Sequence, residues 1–260
     1  MRPPITGTAG NVPFTALPPP HDGPAPLIVT WHMMDPPRSD AAFAAALPMT
    51  DVPAWRVHLA MPLCGARMVN GTTDAIVDLA SQDPLMSFLH PFVEQATDEF
   101  PAALAALRTH LTTDDGPIGI LGASLGAAVA LRVLTGTDTP VRAAAIVNGA
   151  IRMRSVVALF PGDYPYDTHT TAIVDDLDFT TKTDTITTPL LIITGAHDHP
   201  ALHADAHHLA TTLGDRAELH TIPDLTHPLA EEPGIVPAPQ LPQAREVDTH
   251  LTTWFRRHLA

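Results

Sequence analysis

Unbroken apolar runs, rather than alternating ones, mark the principal strands of this chain. Leu27-Ile28-Val29-Thr30-Trp31, residues 55–61, Pro117-Ile118-Gly119-Ile120-Leu121, residues 141–150 and residues 189–194 carry few polar residues. Strands buried on both faces have this character, because neither side of the sheet meets water. Residues 217–222 supply one more strand. Residues 1–26 are rich in Pro and Gly and predict one or two short edge strands, where Pro is tolerated. Helical patterns fill the intervals at residues 40–47, 73–111, 201–213 and 244–258. In the last of these, Val247, Leu251, Trp254 and Phe255 share one face. Pro84, Pro91 and Pro101 predict that residues 73–111 form several helical pieces rather than one rod. Strands alternating with helices predict an α/β fold, with a mostly parallel central sheet and helices on both faces. Residues 1–260 read as one domain, and residues 151–188, with Phe160-Pro161-Gly162-Asp163-Tyr164-Pro165 at their centre, as a short irregular lid.

Composition narrows the function. An apolar share of 45% over 260 residues is that of a globular chain with one full core. The single cysteine, Cys64, excludes an internal disulfide and fits a reducing, cytoplasmic compartment. It reads as a loop or partly buried thiol. The start Met1-Arg2-Pro3-Pro4 leads into no apolar signal region, and no run is long enough to span a bilayer. The net charge of −14, with Lys182 the one lysine, argues against nucleic-acid and membrane partners. Fifteen histidines are present, most of them expected at the surface. His197, His199, His203, His207 and His208 invite a metal reading, but no H-E-x-x-H arrangement accompanies them, so no metal is expected.

The chemistry gathers around Gly122-Ala123-Ser124-Leu125-Gly126. A Gly-x-Ser-x-Gly turn between a strand and a helix is the context a nucleophile elbow requires. The glycines allow the two backbones to approach closely, and the turn lifts the serine hydroxyl above the sheet. In an open α/β sheet, function collects at the carboxyl ends of the strands. The polar residues just past the predicted strands are few: His32 with Met33 and Met34, Ser124, Asn148, Asp198 and His227. A serine needs an imidazole to take its proton, and the imidazole needs a carboxylate to orient it. Ser124, Asp198 and His227 supply these parts in that chain order. Asp224 lies too close in sequence to His227 to reach the far side of its ring. Asp175, Asp176 and Asp178 lie away from any strand end.

These residues carry a resemblance to the α/β-hydrolase superfamily. Within it, the chain is similar to small single-domain esterases related to dienelactone hydrolase and to the prolyl-oligopeptidase catalytic domain, and to bacterial carboxylesterases of the YjfP and YitV type. The similarity spans most of residues 27–259. Its marks are LIVTWHMM, MPLCGAR, GILGASLGAA, PLLIITGAHDHP and LTHPLAEE. It implies an oxyanion hole made by the backbone amides of Met34 and Leu125. Met33 stands where the superfamily usually has glycine, and Thr226 where it has a glycine before the histidine.

The reading is therefore a serine hydrolase that cleaves small carboxylic esters through an acyl-enzyme on Ser124, without a cofactor. Met33, Leu85, Met86, Phe88 and Phe160 are candidate walls of a pocket suited to short acyl chains. A thioesterase or small amidase using the same triad, and a catalytically silent binding domain, are the alternatives. No stretch is long enough to add the propeller of a prolyl oligopeptidase.

Overall fold

In the computed structural model, which describes residues 2–259, eight strands form one sheet in the order β1-β2-β4-β3-β5-β6-β7-β8. The strands β1 (Ile5–Ala9) and β2 (Val12–Leu17) form an antiparallel hairpin, and β2 pairs antiparallel with β4 (Trp55–Leu59). From β4 onward every pairing is parallel, through β3 (Leu27–Trp31), β5 (Ile118–Ala123), β6 (Val141–Val147), β7 (Leu190–Gly195) and β8 (Ala217–Ile222). The hairpin turn, Gly10-Asn11, has positive φ at both residues, the conformation that matches the twist of paired strands. These are the two short strands predicted in residues 1–26, but only β1 is an edge strand, since β2 is paired on both sides.

Helices cover both faces. On one lie α1 (Asp40–Ala46) and α8 (Pro242–Leu259), where Phe43, Val247, Leu251 and Phe255 are buried with Ile28 and Val147. On the other lie α3 (His90–His110), α4 (Leu125–Gly136) and α7 (Pro200–Leu213), with Phe100, Leu131 and Leu209 in the larger core. The chain steps outward from β3 to β4 and then returns to place β5 on the other side of β3. This reversal opens a crevice at the carboxyl ends of β3 and β5. Trp31, at the end of β3, is in register with Gly122 near the end of β5, so the loop after β3 and the serine turn are neighbours.

The predicted breaks in residues 73–111 are only partly present. Helix α2 (Asp74–Gln82) stops before Pro84, and Asp83 caps a π-helical turn, Pro84–Leu89, by accepting from Leu85 N and Met86 N at 2.9 and 2.8 Å. Pro91 falls in the first turn of α3, where its missing N–H costs nothing. Pro101 does not interrupt α3, which continues to His110. The segment 151–188 is also more regular than predicted. It holds α5 (Met153–Val157) and α6 (Thr168–Asp176), the latter opened by a capping box between Asp167 and Thr170. Met153, Val157, Val174 and Phe179 anchor it to the main core.

Candidate active site

Ser124 sits at φ 48°, ψ −120°, a backbone conformation that few non-glycine residues adopt. The surrounding sheet imposes it. Ser124 N donates to Val147 O at 3.0 Å, and Ala150 N donates to Ser124 O at 3.0 Å, tying the turn to the end of β6. Gly126 is required here, because a methyl at that position would enter the carbonyl groups of Trp31 and His32. The turn therefore holds the Ser124 hydroxyl at the floor of the crevice, where the residue is 9% exposed.

His227 and Asp198 meet it. His227 Nε2 lies 2.8 Å from Ser124 Oγ, and His227 Nδ1 lies 2.7 Å from Asp198 Oδ1. The Asp198 side chain is wholly buried and its Oδ1 also accepts from His199 N at 2.7 Å. Three residues from distant parts of the chain thus form one hydrogen-bonded line, Asp198 to His227 to Ser124. A carboxylate on Nδ1 fixes the tautomer that leaves Nε2 free to accept the serine proton. Asp224 is apart from this line, exposed, with His197 Nε2 at 4.0 Å.

Asn148 builds the frame for His227. Its Nδ2 donates to Thr226 O and to His227 O, both at 2.9 Å, and its Oδ1 accepts from Gly195 N at 2.8 Å. One buried amide thereby joins the ends of β6 and β7 to the loop that carries the histidine. Sequence reasoning placed Asn148 at a strand end and gave it no task. Its positive φ of 46° and its carboxamide, which can donate twice and accept in one plane, explain why Asn occupies the position.

The loop after β3 is held by His32, which is fully buried. His32 Nε2 accepts from Met61 N at 3.1 Å, which places the proton on Nδ1, and Nδ1 lies 2.7 Å from Met33 O. Burial pushes the His32 pKa down to about 4, so the ring is neutral in this arrangement at pH 7. The carbonyl of Met33 and the N–H of Met34 belong to one trans peptide and point in opposite directions. His32 therefore turns the Met34 N–H away from itself. Arg38 Nε holds the next carbonyl, Met34 O, at 2.9 Å. Leu125 opens α4, and its N–H is among the helix's first, unpaired donors.

A cavity of about 250 Å³ opens above these groups. Phe88 and Phe160 line it, as the sequence suggested, together with Met34, Leu89, Leu159 and Leu202. Three predicted wall residues do not. Met33 is fully buried on the opposite face of the sheet, against the α1 and α8 core, because successive side chains leaving a strand alternate in direction. Leu85 is wholly consumed by the main core, and Met86 packs against the edge of that core. Cys64 lies in the loop after β4 but is fully rather than partly buried, with its sulfur 3.9 Å from Met34 Sδ, and burial pushes its pKa up to about 12. Asp35, which the sequence reading left without a role, also lines the cavity.

The five-histidine group does not form a shared centre. His203 and His207 stack along α7 at 4.5 Å between ring centroids. Among the described residues, the metal-capable donors that converge within 4.8 Å are Asp198, His199 and His227. Two of these already bond each other. His32 and His58 are both fully buried, apart from the histidines at the surface.

Fold and site together define an α/β hydrolase with a Ser-His-Asp line at the carboxyl ends of its strands. The sequence profile of the prolyl oligopeptidase family matches residues 93–260, and the chain belongs to that family. No curated protein sequence matches it. Among solved structures, TT1662 from Thermus thermophilus is similar with a TM-score of 0.65 at 19% identity, covering 98% of this chain and 99% of that one. Dienelactone hydrolase from Anabaena variabilis is similar at 0.61 and 17% identity, with 100% and 99% covered. The acylaminoacyl peptidase of Pyrococcus horikoshii is similar at 0.66 and 16% identity, and the match covers 99% of this chain but 42% of that one. Among the described residues, no helix is long and apolar enough to cross a membrane.

Proposed function

We propose that this protein is a serine carboxylesterase for small esters with short acyl chains. The observation that carries the reading is the unbroken hydrogen-bonded line from Asp198 through His227 to Ser124, with spacings of 2.7 and 2.8 Å, at the floor of a largely apolar cavity. Ser124 Oγ attacks the ester carbonyl while His227 Nε2 takes its proton. The amides of Leu125 and Met34 receive the oxyanion, and the start of α4 adds its dipole. His227 then gives the proton to the departing alcohol, leaving an acyl group on Ser124. Water enters by the same route: His227 takes its proton, the acyl bond breaks, and Ser124 recovers its hydrogen. Asp198 orients His227 and stabilises the imidazolium at both stages.

The cavity volume of about 250 Å³ supports a small substrate, since cavities for drug-sized ligands start near 300 Å³. Family membership and the likeness to a peptidase favour amide cleavage as a second reading, which the same residues could perform. A fluorophosphonate probe tests the core of the proposal. It should label Ser124, located by peptide mass spectrometry, and labelling should vanish in Ser124→Ala. Failure of the wild-type chain to label would leave a silent binding domain. A panel of p-nitrophenyl esters, thioesters and anilides then ranks the acyl groups and leaving atoms, and the proposal requires esters to lead.

A further inference from the structure

One charged side chain in the cavity has no part in the reaction as described. Asp35 follows the loop that carries Met34, and its Oδ2 lies 3.6 Å from His227 Nε2. That nitrogen is the same one that faces Ser124 Oγ. The Asp35 side chain is 49% exposed, open to whatever enters the cavity. Among the described residues, no lysine or arginine pairs with it. Arg38, three positions on, is turned instead toward Glu232 and the Met34 carbonyl. The walls facing Asp35 are mainly apolar, with Met34, Phe88, Leu125 and Phe160, and His199 is the other titratable group besides His227. A carboxylate beside a nucleophile with no permanently charged partner, in a site that otherwise suits neutral ligands, calls for a positive partner.

We propose that Asp35 is a specificity-determining residue that selects esters whose leaving alcohol carries a positive charge, such as amino alcohols or quaternary ammonium alcohols. The inference rests on the serine-hydrolase reading of the same site. It follows from where the leaving group must be. His227 Nε2 delivers the proton to the departing oxygen, so the alcohol lies against that nitrogen. Asp35 lies against the same nitrogen. A cation two carbons along the alcohol therefore comes within contact of Oδ2 while the acyl chain keeps to the apolar walls. The overall charge of −14 adds a weaker, long-range attraction for cations. A half-exposed carboxylate in contact with a cation is expected to raise kcat/KM about 10- to 100-fold over a neutral ligand of the same shape. Anionic alcohols are disfavoured by the same field.

The test uses two acetates of nearly identical shape, 2-(trimethylammonio)ethyl acetate and 3,3-dimethylbutyl acetate, which differ by a charged nitrogen in place of a carbon. With the full chain, the ratio of their kcat/KM values should be at least about 10 in favour of the cation, and in Asp35→Asn it should fall to about 1. The ratio cancels any general loss of activity in the variant. A wild-type ratio near 1, or a ratio that survives the substitution, overturns the proposal. So does an equal loss on both esters with the ratio intact, which would make Asp35 a partner of the imidazolium for every substrate. Fluorophosphonate labelling separates the two levels. A chain that labels on Ser124 but cleaves neither acetate overturns the role of Asp35, whereas a chain that neither labels nor cleaves overturns the serine-hydrolase reading beneath it.

Discussion

Two buried histidines should make this protein lose stability as the pH falls below about 6.5. His32 and His58 are both fully buried, and burial lowers their pKa values to about 4 and about 3 from 6.5. His58 Nδ1 bonds Thr30 Oγ1 at 2.8 Å, and its Nε2 has no partner. In the unfolded chain both rings take up protons near pH 6.5, whereas in the folded chain they stay neutral. The unfolded state therefore binds more protons below pH 6.5, and stability falls as pH falls through the window from 6.5 to about 4. Between pH 7 and 5 each histidine removes about 2 kcal/mol. Asp248 acts in the opposite direction. Burial raises its pKa to about 6 from 3.8, and protonating it returns about 1 kcal/mol over the same interval. The expected net loss is roughly 2–3 kcal/mol, a large part of the margin of an ordinary domain.

Urea unfolding at pH 7, 6 and 5 measures the loss directly. The double variant Thr30→Val/His58→Phe removes the buried imidazole together with the hydroxyl it bonds, leaving no orphaned partner, and sets an aromatic ring beside Phe43, which already meets His58 edge-on at 5.7 Å. This variant should lose about 2 kcal/mol less than the wild type between pH 7 and 5. Equal stability of the wild type at the two pH values, or an unchanged loss in the variant, would refute the reasoning.

Four further outcomes concern the site. Asp198→Asn should leave the chain folded by circular dichroism yet lower kcat by about 10⁴ in a stopped or continuous ester assay. Ser124→Ala should cost at least as much, and the pair little more than either alone, because the residues act as a unit. Asn148→Ala removes three hydrogen bonds from buried backbone groups. It should lower stability by about 3–5 kcal/mol in urea melts and kcat with it, and a loss under 1 kcal/mol would show the bracket to be dispensable. On p-nitrophenyl esters, kcat/KM should be highest at C2–C4, and faster cleavage of C12 would contradict the small cavity.

The parts of this protein legible in sequence are those set by periodicity and by local turn chemistry. Unbroken apolar runs fix β3, β5 and β7 because burial on both faces allows little else. The residues at their ends, together with the loop after β8, then become a short list from which the serine, aspartate and histidine can be drawn. Proline misled where tertiary context overrode propensity: α3 passes straight through Pro101, on a helix whose Phe100, Ala103 and Leu107 are buried in the main core. The pocket walls were the hardest to read. Whether Leu85 or Leu89 reaches the cavity depends on a π-helical turn, and whether Met33 or Met34 does depends on the phase in which the chain leaves β3. Neither leaves a mark in composition. Asn148 and His32 escaped for a different reason. Both act on the backbone of a loop far away in the chain, and a residue's reach across the sheet appears only when the strands are in register.

His32 also explains how the site tolerates methionine at position 33. A glycine is needed in such a loop where its backbone takes positive φ, but Met33 is not among the residues with positive φ. Its peptide is oriented from outside instead, by a buried imidazole that takes one hydrogen bond from Met61 N and lies 2.7 Å from the Met33 carbonyl. The methionine side chain then serves as an anchor, fully buried in the core beneath the sheet. Flexibility at this position is thereby exchanged for preorganisation. In the proposed mechanism, the Met34 N–H keeps its direction before substrate arrives, and receiving an oxyanion there would require no rearrangement of the loop. The arrangement has a condition: His32 must stay neutral, because protonating Nε2 turns the acceptor for Met61 N into a second donor. Acid therefore strikes the loop beside the nucleophile at the same ring whose burial makes the fold acid-sensitive, and loss of activity and loss of stability share a cause.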